Sequence, residues 1–403
     1  MSPGRVSDRD PVTVFVRWTW CRAFLHRGWW LVASVYLVVD AHLSAAQLVL
    51  IGVAQGLVAF GFEVPAGVVA DTVSRKWSLV LSHLLMGSAM LATGLVTGFW
   101  LVVATQMLWG LAWTFASGAD VAWITDELDD PARVSGVLVR AGRAQLTGAA
   151  AGMVSVGALA SLMNRSTAMV LAGSAMLALG AYVGCRFREG RFVPTRTGRW
   201  SASWRIAARG VALVRCSRVL LVVFAGTFLV NGAEDAFGRL CPRRLVELGF
   251  PADPVTWFTV LGVLTLLVGA VALRLVEPRI DDVRTAPRGY VVACAVGALG
   301  LVGLASSPGY VHGGVAVLFV AGVAVPLTRV IATIWVNRET SGDVRATVHS
   351  FLAQAEYAGE VVCGGAVALV AASIGLRPAL VGCAVLLVAT TVLVPMGTRA
   401  GLR

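Results

Sequence analysis

The feature that most constrains this chain is a train of apolar stretches, each near membrane length and each ended by a short polar break. They cover residues 13–39, 47–69, 79–96, 100–125, 136–162 and 167–185, then 219–237, 255–276, 290–305, 313–335, 348–371 and 378–396. About 20 residues of helix span the roughly 30 Å hydrocarbon core of a bilayer. One soluble core cannot bury twelve such stretches. The chain is 57% hydrophobic and 14% charged, against roughly 25% charged for a soluble domain. Lipid accepts apolar side chains on the outside of a bundle, and helices satisfy their own backbone groups there. The expectation is an all-α integral membrane protein with twelve transmembrane helices in two six-helix, pseudo-symmetric halves. The halves are 1–185 and 219–403, joined by an arginine-rich linker at 186–218.

The basic residues orient this layout. The net charge is +11, but the basic residues fall between apolar spans with no aromatic-basic module of an RNA binder, so nucleic acid is not an expected partner. With the N-terminus inside, only Arg165, Arg239, Arg243, Arg244 and Arg377 fall in outer loops, and the linker carries nine arginines against the single acid Glu189. Basic residues favour the cytoplasmic side, so both termini are expected there, in a plasma membrane. Lys76 is the only lysine, so 33 − 1 = 32 of the basic residues are arginine, which points to a GC-rich bacterial genome.

The halves align at an offset of 212, as from Gly110 to Gly322. Ala112 then matches Ala324, Trp123 matches Trp335, Glu127 matches Glu339 and Arg133 matches Arg345. A duplicated six-helix unit is one known transporter architecture, with substrate bound between the repeats at midplane.

Between the second and third spans stands GVVADTVSRKW, from Gly67 to Trp77. Gly67, Asp71, Arg75 and Lys76 resemble the loop signature of the major facilitator superfamily: Gly, any three, Asp, any three, Arg, then Arg or Lys. The preceding Glu63 and Pro65 resemble a subgroup whose second helix ends in E-x-P-x-G. Physically, Asp71 can cap a helix N-terminus of the opposite half and Arg75 can pair with an acid ending the fourth span, a conformational latch. The alternative reading is that Arg75 and Lys76 only anchor the loop inside. Thr72 and Ser74 depart from the family pattern, which usually has a basic residue and a glycine there. Gln106 aligns with the arginine typical of proton-coupled drug exporters, and the fifth span lacks their Gly-Pro pair.

Ionisable residues at membrane depth mark the functional interior. The purely apolar part of the first span, GWWLVASVYLVV, is too short to cross alone. Extending it backwards brings Arg22, His26 and Arg27 to depth. Glu234 and Asp235 fall in the seventh span, Arg329 in the tenth, and Glu356 and Glu360 one turn apart in the eleventh. Asp235 and Arg239, also one turn apart, can neutralise each other. Arg22, His26, Glu234, Arg329, Glu356 and Glu360 are the expected substrate and proton cavity, with the acids neutralising the arginines. Glu63 and Asp120 can equally pair with Arg75 or Arg133.

No phosphate-binding loop precedes Lys76, and no GxSxG or HExxH occurs. The chain is therefore read as no enzyme, with no cofactor and no metal site. The resemblance implies a monomeric secondary transporter for a small-molecule substrate, with protons and lipid as its other partners. The expected activity is proton-coupled efflux of a hydrophobic or amphipathic molecule, such as a drug. The alternative is import or facilitated passage of a small anionic solute, which the arginines would suit.

Overall fold

The structure, a computed structural model, describes residues 10–128, 130–192, 212, 215, 217–250, 252–280, 285–340 and 345–399. Among them no strand occurs and every apolar stretch falls on a helix. The helices are α1 (Pro11–Val39), α2 (Ala45–Thr72), α3 (Arg75–Thr93), α4 (Phe99–Ala116), α5 (Ala119–Leu128), α6 (Pro131–Leu162) and α7 (Arg165–Arg186). There follow α8 (Arg218–Leu248), α9 (Pro254–Ile280), α10 (Thr285–Ser306), α11 (Tyr310–Val317), a π-helical segment (Leu318–Ala324), α12 (Val325–Glu339), α13 (Arg345–Ser373) and α14 (Leu376–Arg399). Most of the expected linker, including Gly198, and the terminal Arg403 lie outside the described residues.

Among the described residues, ten spans are long and apolar enough to cross a membrane, counting α4 with α5 and α11 with α12 as one each. Helices α1 and α3 are not among them. Arg22, His26 and Arg27 dilute the apolar run of α1, while α3 has 19 residues and carries Arg75, Lys76 and His83. Exposure follows the membrane pattern. The apolar window of α9 has a mean hydropathy of 2.3, yet only 11% of it is buried. A helix apolar all round and left uncovered needs an apolar solvent.

Three elements differ from their sequence-based outline. The fourth span is broken at Ser117–Gly118, where Gly118 takes φ +73°, a left-handed conformation that glycine adopts without steric cost. Asp120 therefore stands in the first turn of a new helix. The seventh span runs on to Leu248, so Arg239, Arg243 and Arg244 lie on α8 rather than in an outer loop. Each guanidinium finds an acceptor there. Arg239 bonds Asp235 and the Gln55 amide oxygen, and Arg243 donates to the Leu43 carbonyl. Arg244, buried, donates to the Leu304, Ala305 and Ser307 carbonyls at the end of α10. In the tenth span, the π segment lies just before Pro326, whose ring can neither donate a helical hydrogen bond nor pass the carbonyl four residues back.

Contacts divide the chain into two compact units. One comprises Met1–His42, Gly61–Arg196 and Asp253–Gly262; the other comprises Leu43–Phe60, Thr197–Ala252 and Val263–Arg403. Within the first, α1 and α6 meet backbone to backbone. A methyl group at Gly148 or Gly152 would collide with the carbonyl oxygens of Trp20 and Phe24, and one at Gly28 would strike the Gly152 carbonyl. The second unit repeats this construction between α8 and α13: Gly359 abuts the Phe228 carbonyl and Gly232 the Gly359 carbonyl. Likewise Gly87 of α3 receives Leu177 of α7, while Gly297 of α10 receives Leu387 of α14. Small residues let helices approach closely where no hydrophobic effect drives them together.

Candidate functional site

In the first unit, the polar face of α1 opens on a cavity of about 410 Å³, within the usual size of a small-molecule site. Arg22 and His26, one turn apart, project from α1; Trp113 comes from α4, Asp120 from α5, and Gly142 and Gln145 from α6. The guanidinium carbon of Arg22 lies 5.3 Å from the centroid of Trp18 and 5.2 Å from that of Trp113. Two indoles thus cradle one cation at the distance where ring quadrupoles attract it. Its ion pair with Asp120 is long, 3.5 Å. Asp120 directs its other oxygen to the Val121 N–H at the start of α5, 2.8 Å away, where the helix dipole also favours a negative charge. So Arg22 pairs with Asp120 within its own unit.

His26 stacks on Trp109, with ring centroids 5.3 Å apart, and on Trp113 at 5.9 Å. Trp30 completes this wall against Trp109 at 5.8 Å. The His26 Nε2 atom is buried and has no hydrogen-bond partner among the described residues. His83, by contrast, is fully engaged. The Trp18 indole donates to its Nε2 at 3.0 Å and its Nδ1 lies 2.6 Å from the Leu79 carbonyl. An indole only donates and a carbonyl only accepts, so His83 is the neutral Nδ1–H tautomer. Gln106 sits in a neutral network, donating to Thr93, which bonds Thr105.

The loop residues lie in the same unit. Arg75 reaches the Asp126 carboxylate and the Ala122 carbonyl of α5, and its guanidinium lies 5.8 Å from the Phe192 ring. An acid ending the fourth span is therefore its partner, with Asp71 a longer contact at 3.7 Å. Asp71 is 59% exposed. Gly67 has open space beside it. Glu63 accepts from the Ser117 hydroxyl at 2.7 Å.

Sequence reasoning missed the residues that hold this loop. Ser74 caps α3 by accepting the Trp77 N–H, and it donates to Glu189 at 2.6 Å. The other Glu189 oxygen accepts the Lys76 N–H at 2.8 Å. Glu127 accepts the backbone N–H groups of Gly190 and Arg191, and Trp123 donates to the Arg188 carbonyl. Phe187, 1% exposed, packs on Trp123 and Trp18. A carboxylate 115 residues downstream leaves no local spacing from which to read it.

The remaining expected residues belong to the second unit. Arg329 of α12 pairs with Glu234 of α8 at 3.0 Å. Glu234 also borders a cavity of about 20 Å³, room for about one water molecule. Asp235 and Arg239 do pair, at 3.0 Å. Glu360 of α13 lies against Gly56 of α2, whose missing side chain makes the space. Glu356 lies one turn before it on α13. Arg329 is thus already neutralised by a carboxylate.

Residues 19–364 match the sequence profile of the Major Facilitator Superfamily. No curated protein sequence matches the chain. Among solved structures, a point mutant of the nucleoside transporter NupG is similar at TM-score 0.80 and 13% identity, covering 96% of this chain and 100% of that one. The POT family transporter PepTSo is similar at TM-score 0.76 and 12% identity, covering 97% and 98%. A bacterial homologue of the human lysosomal transporter Spinster, solved inward-facing and unoccupied, is similar at TM-score 0.70 and 13% identity, covering 98% and 96%. Identities this low carry the fold alone, whereas the profile spans most of the chain: this multi-pass membrane protein belongs to the Major Facilitator Superfamily, a family of transporters of small molecules rather than of enzymes.

Proposed function

We propose that the chain is a secondary active transporter that moves an amphipathic small molecule by alternating access and exports it in exchange for protons. The observation that carries this reading is the cavity beside α1, in which Arg22 is held between two indoles and paired only loosely with Asp120. Aromatic walls with a few convergent polar groups are what a small-molecule site requires. Proton coupling is assigned to the second unit, where Glu234, Asp235, Glu356 and Glu360 stand with Arg239 and Arg329 on α8, α12 and α13. Carboxylates gathered at membrane depth are costly as charges, which favours their binding protons.

The same reading takes α1 and α3 as crossings, giving twelve, with the 1–185 and 219–403 halves related by duplication. The recurring glycine contacts of α1–α6 and α8–α13 support it. Gly67, Asp71, Arg75 and Lys76 would act as the conformational latch, with both termini cytoplasmic in a plasma membrane.

A second reading is uptake of a small anionic solute, favoured by two arginines against one acid at the cavity wall. An inside-negative potential opposes anion entry by about 2.3 kcal/mol per charge per 100 mV, so uptake would need a co-transported proton. Purified protein in liposomes separates the two readings with a panel of antibiotics and organic acids. Exchange draws substrate into acid-interior vesicles; co-transport draws it into alkaline-interior ones. Flux indifferent to a pH gradient of either sign would remove proton coupling.

A further inference from the structure

We infer that the substrate taken by the cavity beside α1 is a planar aromatic monoanion, a carboxylate attached to or near a flat ring. The inference rests on the reading of that cavity as the transport site. Three features select the class. The first is charge. Arg22, Arg27 and Asp120 are the charged groups at the wall, so with His26 neutral the lining carries 2 − 1 = +1. A monocarboxylate cancels that charge, a phosphate dianion overshoots it, and a cation is repelled.

The second is the state of Arg22. Its contact with Asp120 uses one guanidinium nitrogen, at 3.5 Å. Trp18 and Trp113 fix its plane by covering the guanidinium from their ring faces. The remaining N–H edge meets no acceptor among the described residues. A guanidinium in this state is prepared for a carboxylate, whose two oxygens match two parallel N–H groups. A lysine could not supply that fork.

The third is shape. Trp113 and His26 present flat rings on one side, stacked on Trp109. From α6 the lining takes Leu138, Ala141, Gly142 and Gln145, and Gly142 has nothing within 4 Å of where a side chain would start. The lining thus joins aromatic rings to open space beside Gly142. A flat ring suits that space, and the buried His26 Nε2 offers a polar contact to a ring substituent.

The test is calorimetric titration of the purified full chain with four probes that vary one property at a time: naphthoate, naphthylmethylammonium, cyclohexanecarboxylate and naphthyl phosphate. Naphthoate should bind at least about tenfold more tightly than each of the others, the scale of one charge-assisted contact. Arg22→Gln should lose at least that factor for naphthoate. Trp113→Leu should weaken naphthoate several-fold more than cyclohexanecarboxylate, because only naphthoate loses the ring contact as well as the support of Arg22. Tighter binding of the ammonium or the phosphate, or unchanged naphthoate affinity in Arg22→Gln, overturns the inference. The four-probe comparison on the unaltered protein decides the matter even if a variant fails to fold. Transport is read separately, as naphthoate flux in liposomes. Binding that depends on Arg22 without any flux would count against the transport reading and leave the ligand class standing.

Discussion

The Glu189 carboxylate closes the N-terminus of α3 from 2.6 Å beyond the Ser74 hydroxyl. Ser74 caps the helix, Glu189 accepts both the cap's proton and the Lys76 N–H, and a negative charge meets the positive end of the helix dipole. The single acid of the arginine-rich stretch is thereby tied to the loop between α2 and α3. Ser74→Gly should cost a few tenths of a kcal/mol through the cap alone. It also leaves one Glu189 oxygen without its donor, so the loss should approach about 1–2 kcal/mol. Thermal unfolding in detergent measures both, and Glu189→Gln should reproduce the larger part. A Glu189→Gln protein of unchanged melting temperature would leave that contact without energetic weight.

Arg75 and Asp126 form the next prediction. Removing either should leave the other charge without its main partner, at a cost in the range of a partly buried charge pair, about 1–3 kcal/mol. Arg75→Ala and Asp126→Asn should impair transport alike, and the double variant should be no worse than either alone. Asp71→Asn should also reduce transport severely while the protein stays in the membrane, by loss of a capping charge without change of shape. Additive losses for Arg75 and Asp126, or full transport in Asp71→Asn, would reduce the loop to a topological anchor.

Much of this was legible in the sequence because lipid imposes a simple rule. A helix that meets hydrocarbon must be apolar for about 20 residues, so the spans could be outlined without knowing any contact. Charges at depth were legible for the same reason, and Arg22 and His26 do line a cavity. Partners were not. Asp120 is 98 residues from Arg22 and meets it only because Gly118 breaks the span and starts a new helix there. The repeat was legible only in part. Phe228 − Phe24 and Gly232 − Gly28 give 204, Gly359 − Gly152 gives 207, and Gly297 − Gly87 and Leu387 − Leu177 give 210. Loops of unequal length shift the register, so a single offset of 212 cannot align every helix.

Those glycine contacts make a stability prediction. Gly152→Val should prevent α1 and α6 from packing, because the new side chain occupies the place of the Phe24 carbonyl, and Gly359→Val should do the same at Phe228. Gly142→Ala meets nothing within 4 Å and should be tolerated. Size-exclusion profiles of detergent extracts read all three. Monodisperse Gly152→Val protein would show that the two helices can separate at no cost.

Topology is tested by phosphatase fusion. Enzyme fused at Gly198 or Arg403 should be inactive and enzyme fused at Pro308, between α10 and α11, active. Activity at Gly198 would overturn the count of twelve crossings.

The last prediction concerns where the proton binds. Glu360 lies in the notch of Gly56. The charged groups facing it are Glu234, Asp235 and Arg239 of α8 and Glu356 of its own helix; Arg329 of α12 reaches this cluster through Glu234. Arg239 is occupied by Asp235 and Gln55, and Arg329 by Glu234. Glu356 and Glu360 are the other two carboxyl groups of this cluster. A proton on either removes a charge that membrane depth disfavours, and losing it draws that group toward an arginine already held by another acid. Glu356→Gln and Glu360→Gln should each therefore mimic the protonated state. The variant at the coupling residue should lose gradient-driven accumulation and keep counterflow, the exchange that needs no net proton movement. The other should keep both. Arg22→Ala should abolish both by removing substrate binding. Arg329→Ala should spare substrate binding, since its charge answers Glu234 rather than the cavity beside α1. If both glutamine variants still accumulate substrate against a gradient, the proton site moves to Glu234.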